Sequence, residues 1–256
     1  MMNRHFSGLL AAVLVVFPAS VQAQEPVDTA LVLAVDASGS IDPLEFALQR
    51  EGIAAAVTNP DLLDIVRFGQ HGTIAIAYLE WGGPGTAETV VPWSFVSDAQ
   101  TAGLFADKVL RAQRSLQSYN AIGDAIVAGH ALLDACPCQP TRRVIDVSGD
   151  NPDNRSIVPA PLARDRAVDA GIVINALAIL QDSYAGASGQ PWLVEAYQAE
   201  VIGGPGAFVM TADSRQDFER ALLDKMLLEI AAPVPKRNPD LDSNKVASGE
   251  HSARLE

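Results

Sequence analysis

Three short polar segments of the chain carry the side chains best suited to chemistry, and each follows an apolar run. Asp36, Ser38 and Ser40 alternate along the first segment, Asn120 closes the second, and Asp150 closes the third. Together they offer two carboxylates, two hydroxyls and one amide oxygen, with no imidazole or thiolate among them. An all-oxygen donor set suits Mg²⁺, Ca²⁺ or Mn²⁺ and disfavours zinc or copper. These residues predict one divalent-cation site, with Mg²⁺ as the expected ion and Mn²⁺ or Ca²⁺ as alternatives.

The elements that must position these segments alternate between strands and helices. Strands are expected at residues 30–35, 73–81, 89–96, 143–147, 172–180 and 207–211, and helices at 43–57, 98–114, 121–133, 160–170, 192–201 and from about 214. The Gly82-Gly-Pro-Gly85 turn is too short for a crossover helix, so the strands on either side of it should pair antiparallel. The pattern predicts an α/β fold: a doubly wound, mostly parallel six-stranded sheet with one antiparallel edge strand and helices on both faces.

Doubly wound sheets build their sites at the carboxyl ends of the strands, and all three polar segments fall there. The first strand should lie centrally with the 143–147 strand beside it, so that their loops emerge together. Gly39 allows the backbone to bend so that Ser38 and Ser40 point at one centre. Each segment alone has an ordinary explanation, because Asp36 could simply cap the next turn or helix and Ser148-Gly-Asp150 could be a strand-end turn. Their combination at neighbouring strand ends favours a metal site.

These motifs resemble a known family. The D-x-S-x-S pattern of Asp36, Ser38 and Ser40 is similar to the metal-ion-dependent adhesion site (MIDAS) of von Willebrand factor type A (vWA) domains. Asp150 matches the aspartate of that family's third loop, and Ile122-Gly-Asp-Ala-Ile126 matches the start of the helix after its second loop. The resemblance covers about residues 30–230 and implies a Rossmann-like vWA fold.

Two further segments resemble an exported bacterial branch of vWA domains that has no assigned function. They are Arg143-Val-Ile-Asp-Val-Ser-Gly-Asp150 and Val201-Ile-Gly-Gly-Pro-Gly-Ala-Phe208. The resemblance implies that both serines bind the metal directly, and that a protein partner's carboxylate fills an open coordination position. The family's second-loop threonine falls on Asn120 here. Ser118, in the same loop, is the alternative ligand.

Catalysis would require a nucleophile or a tuned acid and base beside the metal. No motif surrounds His71, His130 or His251, and the glycine-rich turns match no nucleotide-binding pattern, so we assign no catalytic and no organic-cofactor residues. The predicted function is a secreted, metal-dependent, protein-binding module of the adhesion type and not an enzyme. One alternative is a metal-dependent hydrolase or phosphatase with Asp36 as nucleophile, although Ser38 stands where such phosphatases have a second aspartate. The other is a vWA-like scaffold whose metal site has lapsed.

Three regions follow from the composition of the chain. Residues 1–23 have a short polar start, an apolar run and the Val21-Gln-Ala23 cleavage pattern of a secretory signal peptide. Residues 24–231 are the expected vWA-like domain. Residues 232–256 are proline-rich at first and then polar, and are expected to form a flexible tail. No later segment has 18 consecutive apolar residues, so we expect no membrane insertion.

The net charge and the two cysteines limit the kinds of partner and compartment that fit this chain. The formal net charge is −13, and loss of the signal segment with Arg4, its single Lys or Arg, brings it to −14. An acidic surface of this size argues against nucleic acid as a partner. Export to the periplasm or the cell exterior would place Cys136 and Cys138 in oxidising surroundings. A bridge within Cys-Pro-Cys, an intermolecular bridge and two free thiols all remain open.

Overall fold

The computed structural model describes residues 24–180, 191–212 and 215–231. Six strands form one sheet in the order β3-β2-β1-β4-β5-β6, with every neighbouring pair parallel except β2 and β3. The strands are β1 Glu25–Asp36, β2 Ile74–Trp81, β3 Glu88–Val96, β4 Cys138–Gly149, β5 Ile172–Ile179 and β6 Val209–Ala212. The predicted sheet with one antiparallel edge strand is confirmed. The expected signal segment and tail lie outside the described residues.

The helices are α1 Pro43–Val57, α2 Pro60–Arg67, α3 Ala99–Arg111, α4 Ile122–Asp134, α5 Ala160–Asp169, α6 Pro191–Ala196 and α7 Arg215–Ala231. Two expectations were wrong. No helix was expected between residues 57 and 73, whereas Pro60 begins α2 behind Asn59, whose side chain accepts from the Asp61 N–H at 2.9 Å. The segment predicted as one helix over 192–201 is α6 followed by a π-helical turn, Tyr197–Val201.

The sheet is buried on both faces by alternate side chains of its strands. Leu31 and Leu33 of β1 belong to the core shared with α1, α2, α3 and α7. Ala30 and Val32 belong to the core shared with α4, α5 and α6. A strand covered on both sides has an unbroken apolar sequence, which is why β1 shows no polar alternation.

The central position of β1 sets the location of the site. Its last residues pair in register with both neighbours, Asp36 with Trp81 of β2 and Val35 with Ser148 of β4. Because parallel strands end at the same edge, the loops after β1 and β4 emerge side by side. The Asp36 and Asp150 carboxylates therefore share one edge of the sheet.

A buried group of charges, here called the α7 ionic cluster, joins α7 to the middle of the sheet. It consists of Asp146 of β4, Asn175 of β5, and Lys225 and Glu229 of α7, all at most 2% exposed. The Lys225 ammonium lies 2.5 Å from the Asp146 carboxylate and 2.5 Å from that of Glu229. Burial lowers the pKa of Lys225, but the two carboxylates outweigh burial and raise it. Burial first, and the Asp146 charge second, raise the pKa of Glu229.

Two further observations bear on the compartment and the membrane. Cys136 and Cys138 form a disulfide between α4 and β4, which decides among the three thiol states left open by the sequence. In the described part of the chain no helix has the length and apolar character needed to cross a bilayer.

Candidate metal centre

The segment after β1 is a loop held between a strand end and a helix start. Ala37 N–H donates to the Trp81 carbonyl at 2.9 Å and extends the β1–β2 pairing by one residue. Asp36 Oδ1 accepts from Ser38 N–H at 2.7 Å and so fixes the turn. The helix cap of α1 is Asp42, whose side chain accepts from the first turn. Asp36 therefore has no capping role toward α1, and its second oxygen is left for another partner.

A chain of hydrogen bonds joins the first and third polar segments. The Ser38 and Ser40 hydroxyls lie 3.0 Å apart, and the Ser40 hydroxyl donates to Asp150 Oδ1 at 3.0 Å. Asn151 Nδ2 also donates to that oxygen, at 2.8 Å. Three of the predicted ligands, Ser38, Ser40 and Asp150, thus meet directly at the carboxyl edge of β1 and β4.

Asp36 is buried in surroundings that disfavour the negative charge of its carboxylate. Asp36 is 0% and Ser38 only 1% exposed. Burial first, and the charge of Asp150 second, raise the pKa of Asp36 from 3.8 to about 8, and the donors of Ser38 and the Asp150 backbone N–H offset only part of this. Its Oδ2 has no hydrogen-bond partner among the described residues. A cation would offset both causes of the raised pKa.

The loop between α3 and α4 buries Asn120 and exposes Ser118. Asn120 is 6% exposed, and its Oδ1 is buried with no hydrogen-bond partner among the described residues. Its backbone is tied to the loop after β4, because Asn120 N–H donates to Asn154 Oδ1 at 3.2 Å and its carbonyl accepts from Asn154 N–H at 2.6 Å. Tyr119, which lies between Ser118 and Asn120, has φ 61° and is 54% exposed. The loop thus turns one residue outward and the next inward.

Arg114 fixes the loop after β1, and no sequence motif indicates this role. Its Nη2 donates to three loop carbonyls, those of Ala37 at 3.0 Å, Ser38 at 3.1 Å and Ile41 at 2.9 Å. Its guanidinium lies over the Phe46 ring, 4.2 Å from the centroid. The loop carbonyls are thereby held toward Arg114.

The buried ion pair of Arg50 and Glu80 supports the loop that carries Asn120. Glu80, at the end of β2, is 0% exposed and accepts from Arg50 Nη2 at 2.7 Å. Its other oxygen accepts from Ser115 N–H at 2.7 Å. The start of this loop is therefore bound to β2 and α1. Neither Glu80 nor Arg50 belongs to a motif that would have revealed this role.

Two aromatic side chains, Tyr197 and Trp81, pack against Gly149 next to Asp150. A Cβ at Gly149 would lie 2.7 Å from the Tyr197 hydroxyl and 3.0 Å from the Trp81 ring, so only glycine fits before Asp150. The Tyr197 hydroxyl donates to the Asn151 carbonyl at 3.2 Å. Burial, followed by the Asp36 and Asp150 charges, raises the pKa of Tyr197, so this hydroxyl stays neutral and acts as a donor.

Asp124, part of the helix start that resembles the family, has a structural role. Its carboxylate accepts from the backbone N–H groups of Gly85 at 2.9 Å, Ile157 at 3.1 Å and Val158 at 3.0 Å. It therefore joins the β2–β3 turn to the loop after β4. Among the described residues there is no group of three or more His, Cys, Asp or Glu side chains placed to hold a metal. A cation here would depend on hydroxyl and amide oxygens beside two carboxylates, a set that fits a hard ion.

Comparison with protein families finds one match. Residues 26–234 match the family described as "Protein of unknown function (DUF1194)". No curated protein matches the chain.

Solved structures place the fold among vWA domains. The pilus adhesin SpaC from Lactobacillus rhamnosus GG is 16% identical with a TM-score of 0.57, over 82% of this chain and 31% of that chain. Proximal thread matrix protein 1 (PTMP1) from the mussel byssus, in a structure described as having a zinc-occupied MIDAS motif, is 16% identical with a TM-score of 0.55, over 81% and 47%. A von Willebrand factor type A structure from Catenulispora acidiphila is 16% identical with a TM-score of 0.52, over 80% and 42%. The chain spans less than half of each, and at these identities the likeness shows the fold alone.

Proposed function

The chain belongs to the DUF1194 family and has the vWA fold, and we propose that it is an exported module that binds a protein partner through one divalent cation. The cation is held by oxygens of the three polar segments, those of Asp36, Ser38, Ser40, Asn120 and Asp150. The proposal is carried by one observation: Asp36 Oδ2 and Asn120 Oδ1 are buried oxygens with no hydrogen-bond partner in the described part of the chain. Buried polar atoms are ordinarily paired, and an ion satisfies both at once.

The donor chemistry favours Mg²⁺, with Mn²⁺ or Ca²⁺ as the alternatives. All five candidate ligands offer oxygen, and hard oxygen donors suit these ions. The zinc of the PTMP1 structure belongs to that protein and does not fix the ion here. When bound, the cation would offer a Lewis-acidic position to a carboxylate of the partner.

Each protein residue has its own part in this arrangement. The buried Asp36 carboxylate would supply negative charge to the ion. The Ser38 and Ser40 hydroxyl oxygens, which would be its ligands, lie 3.0 Å apart. Asp150 supplies the second charge from the neighbouring strand end. We prefer Asn120 to Ser118 as the ligand from the α3–α4 loop, because Asn120 is buried with an unsatisfied oxygen while Ser118 is exposed. Arg114 keeps the carbonyls of the loop away from the ion.

The domain boundaries and the compartment form part of the proposal. Residues 1–23 are proposed to be removed on export, leaving the vWA domain of residues 24–231 with the tail of residues 232–256. The disulfide between Cys136 and Cys138 supports export, because such bonds persist in oxidising compartments. The pilus adhesin with this fold supports a binding role outside the cytoplasm.

Thermal unfolding and calorimetry with Mg²⁺, Mn²⁺ and Ca²⁺ test the cation. At ~100 times the dissociation constant, the ion should stabilise the protein by about 2.7 kcal/mol. Asp36→Asn, which keeps the side-chain shape and removes the charge, should abolish this gain in a folded protein. Asp107→Asn, at an exposed aspartate on α3, is the matched control and should retain it. A wild-type melting temperature unaffected by all three ions would contradict the site and leave the lapsed scaffold as the explanation.

A pull-down from envelope extract tests the partner. A protein partner should be retained in the presence of Mg²⁺, released by a chelator, and absent with Asp36→Asn. Retention that is equal with and without chelator would contradict binding through the ion.

A further inference from the structure

Large apolar side chains that are exposed to solvent flank the candidate metal centre. Leu116 is 98% exposed and Tyr119 is 54% exposed, both in the loop that leads to Asn120. Ile157, in the loop after β4, is 72% exposed. Apolar side chains that gather at one end of a domain mark contact surfaces more often than scattered single ones do.

A groove beside the loop after β1 includes one of these apolar side chains, Leu116, in its lining. It measures about 370 Å³ and is lined by Ala37, Ser38, Gly39, Ile41 and the 114–117 segment. This volume lies near the lower end of the roughly 300–1,000 Å³ of ligand pockets, and suits side chains of an extended segment. A Cβ added at Gly39 would meet nothing within 4 Å, so the approach to the groove is open.

Positive charge accompanies the apolar side chains. Arg114 lines the groove, and its three hydrogen bonds to the loop all come from Nη2, so its other nitrogens donate to no described residue. Arg155 is exposed and lies over the Tyr119 ring, 5.3 Å from the centroid. Beside a bound cation, these guanidinium groups favour an acidic segment over a basic one.

We infer that the partner is an extended protein segment in which an Asp or Glu binds the cation and an adjacent large apolar residue enters the groove against Leu116. This inference rests on the proposed function and deepens it. A carboxylate alone would leave the groove and Leu116 in contact with water. An acidic residue with an apolar neighbour would occupy the cation and the groove together. Tyr119 with Arg155, and Ile157, then form the outer part of the contact, which excludes water from the apolar residue in the groove.

Selection from a phage-displayed library of random heptapeptides tests the inference on the immobilised protein. Binding takes place in Mg²⁺, and elution with EDTA recovers the metal-dependent binders. The expected binders carry Asp or Glu next to Leu, Ile, Met or Phe. With Leu116→Ser, the acidic preference should persist while the apolar preference falls to that of the unselected library. Phe68→Ser is the matched control, because Phe68 is 87% exposed in the connection that precedes β2, at the opposite edge of the sheet.

A synthetic peptide taken from the selection then gives the magnitude. Its affinity should fall on the order of tenfold with Leu116→Ser, since one apolar contact is lost, and should not change with Phe68→Ser. The affinity for Mg²⁺ alone should be the same in all three proteins.

The outcomes separate this inference from the function it rests on. Acidic binders without an apolar neighbour, or an apolar preference that survives Leu116→Ser, would overturn the inference and leave carboxylate binding intact. An absence of EDTA-eluted binders from a protein that binds Mg²⁺ by calorimetry would overturn the carboxylate partner as well. Absence of Mg²⁺ binding itself would overturn the metal site.

Discussion

Replacing Arg114 tests whether its side chain organises the loop that is proposed to bind the metal. Arg114 Nη2 donates to the carbonyls of Ala37, Ser38 and Ile41 at 2.9–3.1 Å, while its guanidinium packs on Phe46. Arg114→Met keeps the length and the apolar contact of the side chain and removes every donor. The three carbonyls would then turn toward water, and the loop would lose the constraint that separates its carbonyls from its hydroxyls.

The contacts set the size of the effect. One amino group has two N–H bonds, so the three acceptors share about two hydrogen bonds, each contributing roughly 1.5–3 kcal/mol when the donor is charged. The cation–π contact adds about 0.5–1 kcal/mol. These contacts add up to about 3.5–7 kcal/mol, but the carbonyls border an open groove and can be rehydrated, so we expect a smaller loss, about 2–3 kcal/mol of unfolding free energy. If about half of it maintains the loop geometry, the dissociation constant for Mg²⁺ should rise roughly fivefold to tenfold.

Denaturant unfolding in EDTA measures the first quantity and calorimetric titration of Mg²⁺ measures the second. Arg111→Met is the control, because Arg111 lies three residues earlier at the end of α3, is exposed and pairs with Asp107 alone among the described residues. A loss of stability in Arg114→Met no greater than that of the control would refute the idea that Arg114 stabilises the loop after β1. A large loss of stability with an unchanged Mg²⁺ affinity would refute the idea that the Arg114 hydrogen bonds support metal binding.

Further expectations concern the charge, the second loop, the fold and export. The pKa of Asp36 is raised from 3.8 to about 8, so the metal-free protein should lose stability as pH rises across that interval, and thermal unfolding in EDTA and in Mg²⁺ should show the loss only without the ion. Asn120→Leu should weaken Mg²⁺ binding while Ser118→Ala leaves it unchanged; calorimetry with the opposite result would assign the ligand to Ser118. Lys225→Met should cost about 3–5 kcal/mol in denaturant unfolding, because two buried carboxylates of the α7 ionic cluster lose their counter-charge, and a loss under about 1 kcal/mol would contradict this. N-terminal sequencing of exported protein should find cleavage after Ala23, and an uncleaved chain would contradict the signal assignment.

The architecture could be predicted because its signals are local. Each buried strand is a short apolar run, and the Gly82-Gly-Pro-Gly85 turn leaves no length for a crossover, so the antiparallel edge followed directly. The α2 helix was missed because the same residue serves two purposes: Pro60 prevents α1 from continuing, and a proline is also well suited to the first position of a new helix. The π-helical turn over Tyr197–Val201 was missed because a helical pattern does not distinguish it from α-helix.

The candidate site was predictable only where its residues follow strand ends. Alternating polar residues after β1 and β4 identify Ser38, Ser40 and Asp150, and these meet through hydrogen bonds in the structure. Arg114 could not be found in this way, since it lies more than seventy residues from the carbonyls that it binds. Nothing in the pattern of helix residues indicates that Tyr197 approaches the same centre.

The burial of Asp36 gives the two carboxylates of the site different parts. Asp150 is served by protein donors, the Ser40 hydroxyl and the Asn151 amide, which stabilise its charge whether or not an ion is present. Asp36 is 0% exposed and keeps one oxygen without a donor, so its charge costs free energy in the metal-free protein. Under the proposed function, this asymmetry would make Asp36 the residue on which the cation acts most strongly and Asp150 the residue that keeps the site assembled when no ion is bound.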